Sequence, residues 1–168
     1  MSETSIETTW INTRSDWLDK RLLFGLSVSG LILGLIILLA AFLRFYNLDA
    51  IGDGNQYYTA AVESMLKSWE NFFFVAAEPG SSVTVDKPPL GLWLQAISAF
   101  NFGVNGFAVA LPQILAGILS VPLLYLLVKN YFGKTAGLLA ALVQAVTPVA
   151  IAVERNNTMD ATLIFTLL

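Results

Sequence analysis

Two short stretches concentrate the side chains that can do chemistry. "VDKPPL" sets Asp86 and Lys87 against Pro88 and Pro89, and "ERNNTMD" carries Glu154, Arg155 and Asp160. Asp53, between two glycines in "IGDGN", adds a further carboxylate. The chain has no histidine, the commonest general base and metal ligand, so acid–base work falls to carboxylates. It has no cysteine either, which removes disulfide and thiolate chemistry and leaves the redox compartment unmarked. A carboxylate site of this kind can hold Mg²⁺ or Mn²⁺. The net charge of −3 and the absence of a basic patch argue against a nucleic-acid partner.

These residues must be positioned by a chain that is 56% apolar and only 12% charged, with a mean hydropathy of +0.69. Such values lie outside the soluble range and predict an all-α, polytopic membrane protein. Residues 1–21 are polar and mixed in charge, too long and too acidic for the basic region of a signal peptide, and are read as a cytoplasmic tail. Leu22 to Leu43 is free of charge and makes roughly 33 Å of helix, the depth of a bilayer core, so residues 22–44 form the first expected span. Lys20 and Arg21 abut its start and place that end inside.

Residues 45–106 are read as an extracytoplasmic loop. Within it Tyr58, Ala61, Val62, Met65, Leu66 and Trp69 recur at helical spacing, which predicts an amphipathic helix lying on the membrane or on the protein. From Pro88 to Val128 no residue is charged, and as one straight helix this run would be about 60 Å long, twice a bilayer. It must break, and "NFGVNG" at 101–106 supplies the turn signals. Pro88 to Phe102 is then short for a crossing and is read as re-entrant or interfacial. Residues 107–128 form the second span, bent by Pro112 and Pro122. "KNYFGK" at 129–134 is a basic cytoplasmic loop, and 135–153 a third span. An outer loop at 154–160 follows, and 161–168 begin a fourth apolar helix, which marks the chain as the N-terminal part of a longer protein.

With residues 88–102 not crossing, Asp53, Asp86, Lys87, Arg155 and Asp160 all fall on one outer face beside an apolar wall. That is where a substrate with a charged head and a lipid tail would lie.

The order of "RFYNL", "NQYYTAAVESML", "DKPPLGLWLQAIS", "YFGKTAGLLAAL" and "ERNNTMDATLIF" resembles the N-terminal part of GT-C superfamily membrane glycosyltransferases. The branch is that of aminoarabinose transferases and protein O-mannosyltransferases, and the likeness is strongest to bacterial RgtA/B/C/D-like mannosyltransferases. It covers the chain from about Leu22 onward. It implies transfer of a hexose-type sugar from a polyprenyl-phosphate carrier to a lipid, glycan or protein acceptor outside the cell membrane, with inversion and without a required divalent ion. By this resemblance Lys87 meets the carrier phosphate, and Asp160 is the second acidic residue of the site. The family's first acidic pair is replaced here by Gly54 and Asn55, one residue after Asp53. Asp53 is therefore the expected base, with Gly52 and Gly54 permitting a small loop shift. The alternative has Asn55 binding sugar while Asp86 or Asp160 takes the proton. Tyr58, Glu154 and Arg155 complete the expected substrate-binding set.

Plainer readings stand beside these. Asp86 and Lys87 also fit an exposed ion pair, Pro88 and Pro89 a rigid helix start, and Glu154 and Arg155 a helix end at the interface. Asn156-Asn157-Thr158 is a glycosylation sequon too short to carry weight, and Gly30 and Gly34 suit close helix packing. The functional alternatives are a non-catalytic membrane scaffold and a transporter. The uncharged interiors of the three expected spans count against the transporter.

Overall fold

The computed structural model describes residues 16–21, 25 and 27–168. Most of the tail expected at 1–21, and residues 22–24 and 26 of the first expected span, lie outside the described residues. Within them the chain is helical, with isolated bridges in place of any strand.

Helix α1 (Val28–Phe45) begins where the Ser27 hydroxyl accepts the Gly30 N–H at 3.1 Å, an N-cap that satisfies one of the orphan donors of the first turn. Its buried stripe is narrow, with Ile36, Ala40 and Arg44 repeating every four residues, and its other faces expose leucine and phenylalanine. The stripe packs mainly on α5 (Gly106–Val146), whose start is capped by the Asn105 side chain accepting the Ala108 N–H at 2.9 Å. Both helices are long and apolar enough to cross a membrane.

Helix α5 is not one rod. Gly133 sits at φ 84°, ψ 169°, a conformation open to glycine and costly for other residues. The second arm turns back there onto the first. Gly137 approaches the Tyr125 ring and Lys129 so closely that a Cβ would clash, and Leu138, Ala141 and Ala145 share one core with Val121, Tyr125, Ile36 and Ala40. Leu18, in a single helical turn at Asp16–Asp19, plugs the same core, and Asp19 pairs with Lys134 beside the bend.

The run from Thr135 to Val153, expected as one span, is divided by Pro148. Thr147 is extended, as a residue before proline prefers, and a separate helix α6 (Pro148–Arg155) starts with the proline at its first position. After a turn through Asn157, helix α7 (Asp160–Leu167) follows.

The remaining elements cover one end of α5. Helix α2 (Gln56–Met65) buries Ala61, Val62 and Met65 against Leu92, Ala96 and Ala99 of α4 (Pro89–Phe102) and against Ala108 and Val109. The amphipathic face read from the sequence thus rests on protein. Of these, each of Val62, Met65, Leu92 and Val109 is worth about 1.5–3 kcal/mol when fully buried. Trp69, grouped with that face by spacing, instead opens a short helix α3 (Trp69–Phe73) and is exposed. A tight hairpin, with Val85 N–H bonded to the Val75 carbonyl at 3.0 Å and Ala77 N–H to Val83 at 2.8 Å, then delivers Asp86 and Lys87 to the start of α4. At the far end of α4 the chain turns at Gly103, φ 81°, into the cap of α5.

Candidate functional site

Three helices begin at one place. The cap residue of α2 (Asn55), the cap of α4 (Pro88, with Leu90 and Gly91 after it) and the first turn of α7 (Met159, Asp160, Thr162) line a cavity of about 360 Å³. Helix starts carry partial positive charge, which favours an anion. Lys87 lines the same cavity and adds a full positive charge. Asp160 is the carboxylate in the same lining, and Tyr58 and threonines supply hydroxyls.

The cavity does not end at its polar walls. Leu90, Thr162 and Thr166 are shared with an apolar groove of about 480 Å³ that runs between α4, α5 and α7, past Leu94, Ile97, Leu115 and Leu119. A charged head and a hydrocarbon tail would find complementary surfaces in sequence.

Of the residues singled out by sequence, the fold brings together Lys87, Asp160, Asn55 and Tyr58. It does not bring the others. Asp53, the expected base, is exposed and outside the cavity lining, and its carbonyl accepts the Thr59 hydroxyl at 2.7 Å. Asp86 points to solvent with its carboxylate 3.9 Å from the Lys87 ammonium, a surface pair worth little.

Glu154, expected to bind substrate, is 1% exposed and forms a two-pronged ion pair with the fully buried Arg44 of α1. Arg44 also donates to the carbonyls of Ala145, at 3.0 Å, and Ala40, at 3.2 Å. The pair fits because Gly117 of α5 leaves room, since a Cβ there would collide with the Glu154 carboxyl group. Arg155, also expected at substrate, donates instead to the carbonyls of Tyr46 and Asn47, at 2.8 and 3.1 Å, and so closes the end of α1.

Three buried amides escaped the sequence reading. Gln113 of α5 accepts the Thr162 N–H at 3.2 Å and the Thr162 hydroxyl at 2.9 Å, capping α7 from another helix because Met159 offers no side-chain cap. Gln95 donates to the Asn157 carbonyl at 2.8 Å, and Asn157 itself reaches the Asn55 N–H at 2.7 Å. The signal was present, since a glutamine inside an uncharged apolar run needs a buried partner. Its partner could not be read from spacing. Among the described residues, no three carboxylates gather closely enough to hold a metal ion.

Comparison with known proteins adds to this geometry. Residues 86–168 match the family described as dolichyl-phosphate-mannose-protein mannosyltransferase. YycA of Bacillus subtilis (strain 168), named as a proposed mannosyltransferase, is 53% identical over 134 residues, 80% of this chain and 20% of its own length. YkcB of the same organism, named likewise, is 51% identical over 138 residues, 82% of this chain and 19% of its own length. The polyprenol-phosphate-mannose–protein mannosyltransferase of Mycobacterium tuberculosis is 30% identical over 138 residues, 80% of this chain and 26% of its own. The chain therefore spans about a fifth of the length of the first two relatives. No solved structure matches it.

Proposed function

We propose that this mannosyltransferase-like chain forms the donor end of a membrane glycosyltransferase that moves a sugar, mannose by the names of its relatives, from a polyprenyl-phosphate carrier to an acceptor outside the cell membrane. The observation that carries the reading is the cavity shared by Lys87 and Asp160, continuous with an apolar groove. Lys87 and the three helix starts hold the carrier phosphate as a leaving group, and the groove takes the first isoprene units. The acceptor hydroxyl attacks the anomeric carbon from the face opposite the phosphate. The carbon–oxygen bond to phosphate breaks with its electron pair, and the anomeric centre inverts. Asp160 takes the hydroxyl proton, in preference to Asp53, because it lines the cavity and Asp53 does not. Charge on the departing phosphate is balanced by Lys87, and no divalent ion is required. The chain crosses the membrane several times with this cavity on the outer side.

The test is transfer by the gene product in lipid nanodiscs, with polyprenyl-phosphate-mannose as donor and chelator present throughout. Lys87→Ala is expected to remove a charge-assisted contact worth about 1.5–3 kcal/mol, lowering kcat/KM for the donor roughly tenfold to a hundredfold. Lys87→Arg restores part of it, because the charge survives while the geometry changes. Unchanged donor kinetics in Lys87→Ala would return "DKPP" to a structural turn. Activity that vanishes with chelator and returns with Mg²⁺ would overturn the metal-free step.

A further inference from the structure

We infer that Asn157 is a positioning residue, a latch that sets the gap between the two polar walls of the cavity. It lines no part of the cavity and is 0% exposed, so it is not a substrate contact. Its side chain is held at a crossing of elements. Its amide oxygen accepts the Asn55 N–H at 2.7 Å, and its amide nitrogen lies 3.3 Å from the Thr59 hydroxyl and 3.4 Å from the Gln95 amide oxygen. Gln95 returns a bond to its carbonyl at 2.8 Å. One side chain thus ties the start of α2 to the middle of α4 and to the turn before α7.

The connections matter because of what stands on either side. Asn55 and Tyr58 line the cavity from the start of α2, and Thr158 and Asp160, one and three residues beyond Asn157, line it from the turn and start of α7. Nothing covalent fixes the distance between segments a hundred residues apart in the chain. The Asn157 oxygen fixes it at one hydrogen bond. Two further features suit the role. Asn157 adopts φ 47°, a left-handed conformation that asparagine tolerates better than most residues. Gly54, with φ 65°, leaves the space into which the Asn157 oxygen fits, since a Cβ there would sit 2.6 Å from it.

The variant that isolates the latch is Asn157→Gly, which keeps the left-handed turn and removes the side chain. Two readouts in nanodiscs separate positioning from loss of fold. Amide exchange across residues 53–58 should rise about tenfold, the weight of one buried hydrogen bond, with the exchange of α5 unchanged. KM for polyprenyl-phosphate-mannose should rise by about the same factor with kcat altered far less, whereas a merely destabilised enzyme loses active molecules and so apparent kcat.

Wild-type exchange at 53–58 in Asn157→Gly would overturn the latch. So would a rise spread equally over α5, or a fall in kcat with KM unchanged. The kinetic arm rests on the proposed donor site. If the wild-type protein fails to use the lipid-linked donor, that reading falls, and the exchange arm still decides the latch.

Discussion

Asp160, Asp53 and Asp86 offer the same functional group, and the backbone alone separates them. Asp160 opens α7 and lines the cavity with Lys87, while Asp53 and Asp86 face solvent outside it. A general base must come within hydrogen-bond reach of the proton it takes. In single-turnover transfer, Asp160→Asn should therefore lower the rate about a hundredfold to ten-thousandfold. Asp53→Asn and Asp86→Asn should stay close to wild type. Full turnover in Asp160→Asn, with loss in Asp53→Asn, would restore the base expected from sequence. Lys87 and Asp160 stand in short motifs contiguous with helix starts, and the fold brings them to one cavity. Glu154 was misplaced because a glutamate six residues before Asp160 looks equally available until its partner is known. That partner is Arg44, 110 residues away.

At the level of elements, this pair explains how α1 and α6 are held against α5. Arg44 spends four of its five N–H donors on the Glu154 carboxylate and on the carbonyls of Ala40 and Ala145. Removing one partner strands the other. Arg44→Ala should cost about 3–5 kcal/mol, read as a fall in the thermal midpoint of the protein in detergent micelles. Arg44→Met combined with Glu154→Leu, which removes both charges and keeps apolar volume, should recover most of that loss. If the double variant were as unstable as Arg44→Ala, the pair would be contributing its net attraction and not merely avoiding an unpaired charge. The helical character of these elements was readable from apolar runs. The division at Pro148 was readable in principle, since a proline prescribes an extended predecessor, but the uncharged run around it masked the break.

For the molecule as a whole, the proposed topology follows from where α5 folds back. Its two arms are antiparallel about Gly133, so the bend lies at the opposite end of the bundle from the cavity, near Lys129 and Lys134. Positive charge at that bend favours the cytoplasmic side. Single cysteines at Val83, Tyr131 and Asn156, in a chain with none of its own, give the test with an impermeant thiol reagent on intact cells. Labelling at 83 and 156 with protection at 131 is expected. Labelling at 131, or opposite behaviour of 83 and 156, would place the cavity elsewhere.

The sequence by itself determined what is local and what is compositional. Long uncharged runs dictate helices, "NFGVNG" marks the break before one of them, and "DKPP" and "NNTMD" mark the two places where polar chemistry returns to an apolar chain. Tertiary structure alone decided which of those polar groups face a common space. Hydrogen bonds such as Asn157 to Asn55, Gln113 to Thr162 and Arg44 to Glu154 join residues far apart in the chain. No periodicity encodes them. Their partners are chosen by the packing of α1, α4 and α7 around α5, where a buried donor must find whatever acceptor the fold brings within reach.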